Sequence, residues 1–179
     1  PLQVNKFVTG DGQEYAPDSF EVVVQCTSAV GTWVETELDP ITVTVSPGEP
    51  VEVPNLPYDA ECTLTEDPEV NGQTDFTVFP ETVTISREGE PPSQIAITNT
   101  YDLGSLELSK DVQSDAVDQD GNPIAYGPFE ATVECTFLGE DVYAEGYSAE
   151  NPMVVELTAD GTPVTLTGLP VNADCAVTE

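Results

Sequence analysis

The chain holds two lysines, Lys6 and Lys110, and one arginine, Arg87, against 34 acidic side chains. Each lysine interrupts a run of alternating apolar residues. In an extended segment Leu2, Val4, Lys6 and Val8 share one face, and Leu106, Leu108, Lys110 and Val112 share another. Further runs carry one acid or amide on the same kind of face. Ala60, Cys62 and Leu64 lead to Glu66, Ile95 and Ile97 lead to Asn99 and then Tyr101, and Ala173, Cys175 and Val177 lead to Glu179. Phe20, Val22, Val24 and Cys26 form an unbroken apolar face. A lone charge in an apolar interior is expensive, so such groups need partners. An amine, a carboxyl and a carboxamide aimed into one core are candidates for each other. A surface stripped of lysine that keeps one inward in each half implies a use for it.

The elements that would position these groups repeat. Phe20-Glu-Val-Val-Val-Gln-Cys26-Thr matches Phe129-Glu-Ala-Thr-Val-Glu-Cys135-Thr. Asn55-Leu-Pro-Tyr-Asp-Ala-Glu-Cys62-Thr-Leu-Thr-Glu66 matches Gly168-Leu-Pro-Val-Asn-Ala-Asp-Cys175-Ala-Val-Thr-Glu179. Leu2 to Val8 matches Leu106 to Val112. Three blocks in the same order mean duplication. The predicted repeats are 1–101 and 102–179. The first continues past Glu66 through 76–80, 82–86 and 95–101, and the second has no counterpart to these, so it is expected to lack its final strands. Truncation of the second repeat is the favoured explanation, and an edge supplied by another chain is the alternative. The short link at 102–105, with one glycine, predicts a semi-rigid connection between neighbouring repeats.

Valine and threonine dominate the alternating runs, and both favour strands. Turn signals at 9–12, 46–49, 120–123 and 160–161 separate them. No helical period persists for three turns. The expected fold class is all-β, with one sandwich per repeat.

Composition excludes several functions. The formal net charge of −31 repels nucleic acid and anionic membranes, and no basic patch opposes it. No stretch is long and apolar enough to span a membrane. A chain with no histidine has no ordinary catalytic triad. No metal or other cofactor is expected, because the four cysteines show no zinc spacing. They read instead as two disulfides, Cys26 with Cys62 and Cys135 with Cys175, formed in an oxidising compartment. Asp118, Asp120 and Asn122 are similar to a calcium loop but lack its downstream glutamate, so a hairpin turn is predicted there. Trp33, Tyr143 and Tyr147 are candidates for a ligand face, or else caps of a sandwich end.

Leu-x-Val-x-Lys6 on a first strand, Cys-Thr-Leu-Thr-Glu66 on a central strand and Ile-Thr-Asn99-Thr on a last strand resemble the collagen-adhesin B-type (SpaA-like) repeats of Gram-positive surface proteins. The resemblance is to the cysteine-containing, actinobacterial subset. It implies an immunoglobulin-like sandwich in each repeat. It also implies an isopeptide bond between Lys6 and Asn99, promoted by Glu66, with Lys110 and Glu179 carried over to the second repeat without their asparagine. The physics is consistent with that chemistry. An apolar site disfavours charge on both groups, and a neutral amine is a nucleophile. Fixed contact replaces a bimolecular encounter. The reaction would occur once per domain, so it is maturation and not turnover, and no enzyme is expected.

The function these features imply is a structural stalk: extracellular repeats, wall-anchored or secreted, that project a binding head from a bacterial adhesin or pilus-like protein. Neither lysine is expected to serve sortase-type polymerisation, since both are expected inside cores. The alternative is an adhesive module that binds a protein or glycan ligand through loops 28–40 and 137–151. Self-assembly by strand donation into the open second repeat is a further expectation.

Overall fold

A computed structural model describes residues 1–28 and 36–179. The fold is all-β, with a few residues in short helical turns. It divides into two compact units, Pro1–Asp102 and Leu103–Glu179.

The described residues of unit 1 form the strands β1 (Leu2–Thr9), β2 (Phe20–Ser28), β3 (Thr36–Glu37), β4 (Ile41–Val45), β5 (Val51–Val53), β6 (Glu61–Thr65), β7 (Asp75–Phe79), β8 (Val83–Thr84) and β9 (Ser93–Thr100). One sheet has the order β5-β1-β9-β7. In the other, β2 is central, with β3 and β4 along one edge and β6 then β8 along the other. Alternation decides which side chains meet between the sheets. Leu2, Val4, Ile95 and Ile97 from the first sheet, and Phe20, Val22, Val24, Val45 and Leu64 from the second, are all buried. Each such side chain stabilises the fold by about 1.5–3 kcal/mol. The result is an immunoglobulin-like β-sandwich.

Strands β1 and β9 run parallel in unbroken register from Leu2↔Ser93 to Thr9↔Thr100. Parallel neighbours need a long crossover, and residues between β1 and β9 supply it by building the rest of the unit. At the end of this pair Gly10 has φ +99, and a Cβ there would lie 1.9 Å from the Tyr101 carbonyl oxygen. Only glycine lets the chain leave β1 so close to the end of β9. The amides of Tyr101 and Gly12 then close the corner, donating to Thr9 O and Tyr101 O, each at 2.9 Å.

A single helical turn, α1 (Pro68–Asn71), follows β6. Asp67 caps it by accepting from the Glu69 amide, proline occupies its first turn, and Gly72 ends it in the left-handed region.

Unit 2 repeats the first six strands: β10 (Leu103–Leu108), β11 (Phe129–Phe137), β12 (Glu140–Val142), β13 (Met153–Leu157), β14 (Val164–Pro170) and β15 (Asp174–Thr178). Strand β10 pairs antiparallel with β14, as β1 does with β5. Strand β11 is flanked by β12 and β13 on one side and β15 on the other, as β2 is by β3, β4 and β6. Its core is Ala131, Val133, Phe137, Met153, Val155, Leu157 and Leu166. Residues 103–179 form no counterpart of α1, β7, β8 or β9. The flank of β10 that corresponds to the one β9 covers on β1 pairs with no strand among the described residues.

Two expectations need correction. Residues 103–105 are not linker: Leu103 to Ser105 belong to β10, and a register shift between Gly104 and Ser105 fits them beside β14. The face of Cys175, Val177 and Glu179 is not core in unit 2. All three residues are exposed, Val177 by 50%, because residues 103–179 supply no counterpart of β9, which covers the matching face of β6 in unit 1.

Candidate functional site

Strand parity brings the polar residues of unit 1 together. Lys6 lies on β1 and Asn99 two positions beyond its register partner on the neighbouring parallel strand, since Lys6 pairs with Ile97 and Val8 with Asn99. Glu66 follows β6 in the opposite sheet. All three are buried, and the side chains of Lys6 and Glu66 are fully inaccessible. Lys6 Nζ donates to Glu66 Oε1 at 2.7 Å, and Asn99 Nδ2 donates to Glu66 Oε2 at 2.7 Å. One carboxyl thus bridges an amine and a carboxamide, one oxygen for each. Asn99 Oδ1 has no hydrogen-bond partner among the described residues.

The surroundings are apolar. The Phe20 ring lies under the lysine head, with Nζ 4.0 Å from its centroid. Burial pushes the Lys6 amine below its ordinary pKa of 10.5, against the opposing hydrogen bond and charge of Glu66. Burial also raises the Tyr101 hydroxyl to about 12, a hydrogen bond with Asn99 pulls the other way, and the charge of Glu66 adds to the rise.

Sequence reasoning missed part of this site. Asn71, at the end of α1, is buried and turns Nδ2 towards Glu66 Oε2 at 3.4 Å. The Tyr101 hydroxyl donates to the Asn71 carbonyl oxygen at 2.8 Å. Gln73 buries a carboxamide for which neither polar atom finds a partner among the described residues. Phe20 was legible as core, and its equivalence with Phe129 across the repeats was a signal for the ring beneath each lysine.

In unit 2 Lys110 and Glu179 do meet, as an ion pair with Nζ 4.7 Å from the Phe129 ring centroid. The pair is solvent-accessible, with side chains 26% and 50% exposed. That corrects the expectation of Lys110 inside a core: residues 103–179 contribute neither an Asn99 equivalent nor the strand that would bear it. Arg87, the remaining basic side chain, stacks on Tyr58 with Cζ 4.7 Å from the ring centroid.

Cysteine pairing is as the repeats suggested. Cys26 and Cys62 are direct neighbours on β2 and β6, and Cys135 and Cys175 on β11 and β15. Both disulfides therefore join adjacent strands of one sheet and do not cross the sandwich. They are the mark of a chain that matures outside a reducing cytosol.

The remaining candidates separate. Asp118 accepts from the amides of Asp120 and Asn122, and Val117 bridges to Pro123, so this segment is the expected tight turn. The described residues hold no metal-binding cluster of histidine, cysteine or acidic side chains. No helix among them is long and apolar enough to cross a membrane. Tyr143 and Tyr147 are half-buried, and Tyr143 lines a cleft of about 310 Å³ with Val142, Pro152 and Met153. Trp33 lies outside the described residues.

Fold and site together define a class: tandem all-β units, each closed by a neighbouring-strand disulfide and each holding a lysine against an acid. The chain belongs to the family described as a domain of unknown function, DUF5979, whose model matches it twice, over residues 2–102 and 106–179. No curated protein matches it.

Proposed function

We propose that the two units are structural repeats of an extracellular stalk, part of a bacterial cell-surface adhesin or pilus-like protein, and that unit 1 locks itself with a covalent bond between Lys6 and Asn99. The carrying observation is the fully buried Glu66 carboxyl, placed 2.7 Å from both Lys6 Nζ and Asn99 Nδ2.

That geometry suits one reaction. Neutral Lys6 Nζ attacks Asn99 Cγ and forms a new C–N bond. Glu66 takes the proton that the amine loses and returns that same proton to Nδ2. The Cγ–Nδ2 bond breaks and ammonia leaves. The amine is weakened as a base by burial, which favours its nucleophilic form. The bond would tie β1 to β9 directly. A pull on these two strands would then load a covalent link and bypass the hydrogen-bonded ladder between them.

The test is mass spectrometry of the reduced chain. The reading expects unit 1 to be lighter by one ammonia, with a branched Lys6–Asn99 peptide after digestion. Lys6→Ala and Glu66→Ala each restore the full mass. An unshifted wild-type mass refutes the bond.

A second reading is favoured by the cleft at Tyr143: an adhesive module taking a protein or glycan group there. Loss of binding to a host-matrix or glycan array on Tyr143→Ala supports it, and an array without signal counts against it.

A further inference from the structure

Glu66 Oε2 is approached by two carboxamides, and only one of them belongs to the bond. Asn99 donates at 2.7 Å from β9. Asn71 points at the same oxygen from α1, at 3.4 Å. Asn71 is in turn held from the residue that follows β9, because the Tyr101 hydroxyl donates to its backbone oxygen at 2.8 Å. Tyr101 follows Asn99 by two positions on the same buried face. The residue that delivers the acceptor amide and the residue that steadies α1 therefore arrive together, at the end of β9 and just past it. Gly10 permits the close approach of backbone that lets this strand end seat against β1.

Unit 2 supplies the contrast. It has the lysine, the acid and the aromatic ring, but residues 103–179 contribute nothing equivalent to Asn71 or Tyr101. Its acid is half exposed. That amine–acid pair lies at the surface, where residues 103–179 supply no covering strand.

We propose that Asn71 and Tyr101 are positioning residues which hold the Glu66 carboxyl in its bridging orientation only once β9 has docked, so that bond formation is coupled to completion of the sandwich. The proposal rests on the Lys6–Asn99 reading. Its chemistry adds no reactant. Asn71 fixes Oε2 by a hydrogen bond and Tyr101 fixes Asn71, while the proton path stays on Glu66. Tyr101 suits this role because its hydroxyl keeps its proton to about pH 12 and remains a donor throughout the ordinary range.

The experiment follows ammonia loss with time in freshly translated full-length chain, counted by intact mass among molecules whose disulfides have closed. Tyr101→Phe and Asn71→Ala are each expected to slow the reaction by about tenfold or more, since small misplacement of a reacting group is costly. The double variant is expected to be no slower than the slower single one, because Tyr101 acts through Asn71. Asn71→Asp distinguishes positioning from mere support. Its introduced carboxyl, facing Glu66, Lys6 and Tyr101, is a donor only when protonated. Its rate is therefore expected to recover towards wild type, relative to Asn71→Ala, as pH falls into the carboxyl range. Should Asn71→Ala fail to close its disulfide, Tyr101→Phe carries the test, since it keeps the ring and removes one oxygen. Single variants within about twofold of wild type would overturn the coupling and leave the cross-link standing. A wild-type chain that keeps its ammonia would overturn both.

Discussion

Glu66 is the residue on which unit 1 turns, because among the described residues it is the acid placed against the buried amine. Replacing it with glutamine leaves Lys6 fully buried without a counter-charge. In chain that also carries Asn99→Ala, so that no bond can form, Glu66→Gln is expected to cost about 3–5 kcal/mol in urea unfolding, the penalty for breaking a buried pair. A cost below about 1 kcal/mol would mean that the pair does not depend on burial. Tyr101 sets a different dependence. Folded chain holds its hydroxyl proton to about 12, against 10.0 for the ordinary group. Folded chain therefore binds more protons in that window, and stability falls as pH rises from about 10 towards 12. Tyr15 shifts in the same direction. Tyr101→Phe is expected to flatten most of the fall in urea midpoints across that range. Lys6 acts oppositely while it is free. Its pKa is lowered, the unfolded chain binds the extra proton, and stability rises as pH approaches 10.5. The cross-link would remove that rise, so only a variant lacking the bond should show it. Lys6, Glu66 and Asn99 were legible from sequence because each breaks a strict period of two. Asn71 was not, because a single helical turn imposes neither the period of a strand nor that of a long helix.

At the level of elements, the disulfides and the open edge give separate expectations. Cys26 and Cys62 close a loop with a sequence separation of 36. Changing both to serine is expected to cost about 3–4 kcal/mol of unit 1 stability, measured against wild type in oxidising buffer. Strand β6 is covered on its inner face and flanked by β2 and β8, whereas β15 is exposed along its length and, among the described residues, pairs with β11 alone. Amide exchange should therefore be markedly faster in Asp174–Thr178 than in Glu61–Thr65 of the same chain. Equal protection would mean that another surface covers β15 in solution. The strands were largely readable from alternation and turn residues. The start of β10 was not, because Gly104 and Ser105 look like chain breakers. In the structure they serve a bulge, and a Cβ on Gly104 would come 3.3 Å from the Val171 side chain. The exposure of β15 was also hidden, since an apolar alternating strand reads as buried whether or not its covering strands are present.

For the whole molecule, charge and covalent closure dominate. A net charge of −31 on 179 residues makes self-repulsion a destabilising term at neutral pH. Added sodium chloride is expected to raise the melting temperature there, and to do so less near the isoelectric point of about 4.1. Against that repulsion stand two disulfides, which are present, and one amide cross-link, which is proposed. Because the Lys6–Glu66–Asn99 arrangement is complete in unit 1 alone, the most direct measurement is the intact mass of the reduced 179-residue chain. A deficit of one ammonia, abolished by Asn99→Ala and unchanged by Lys110→Ala, is the predicted result. A full mass would contradict the cross-link, and a deficit of two would contradict its restriction to unit 1.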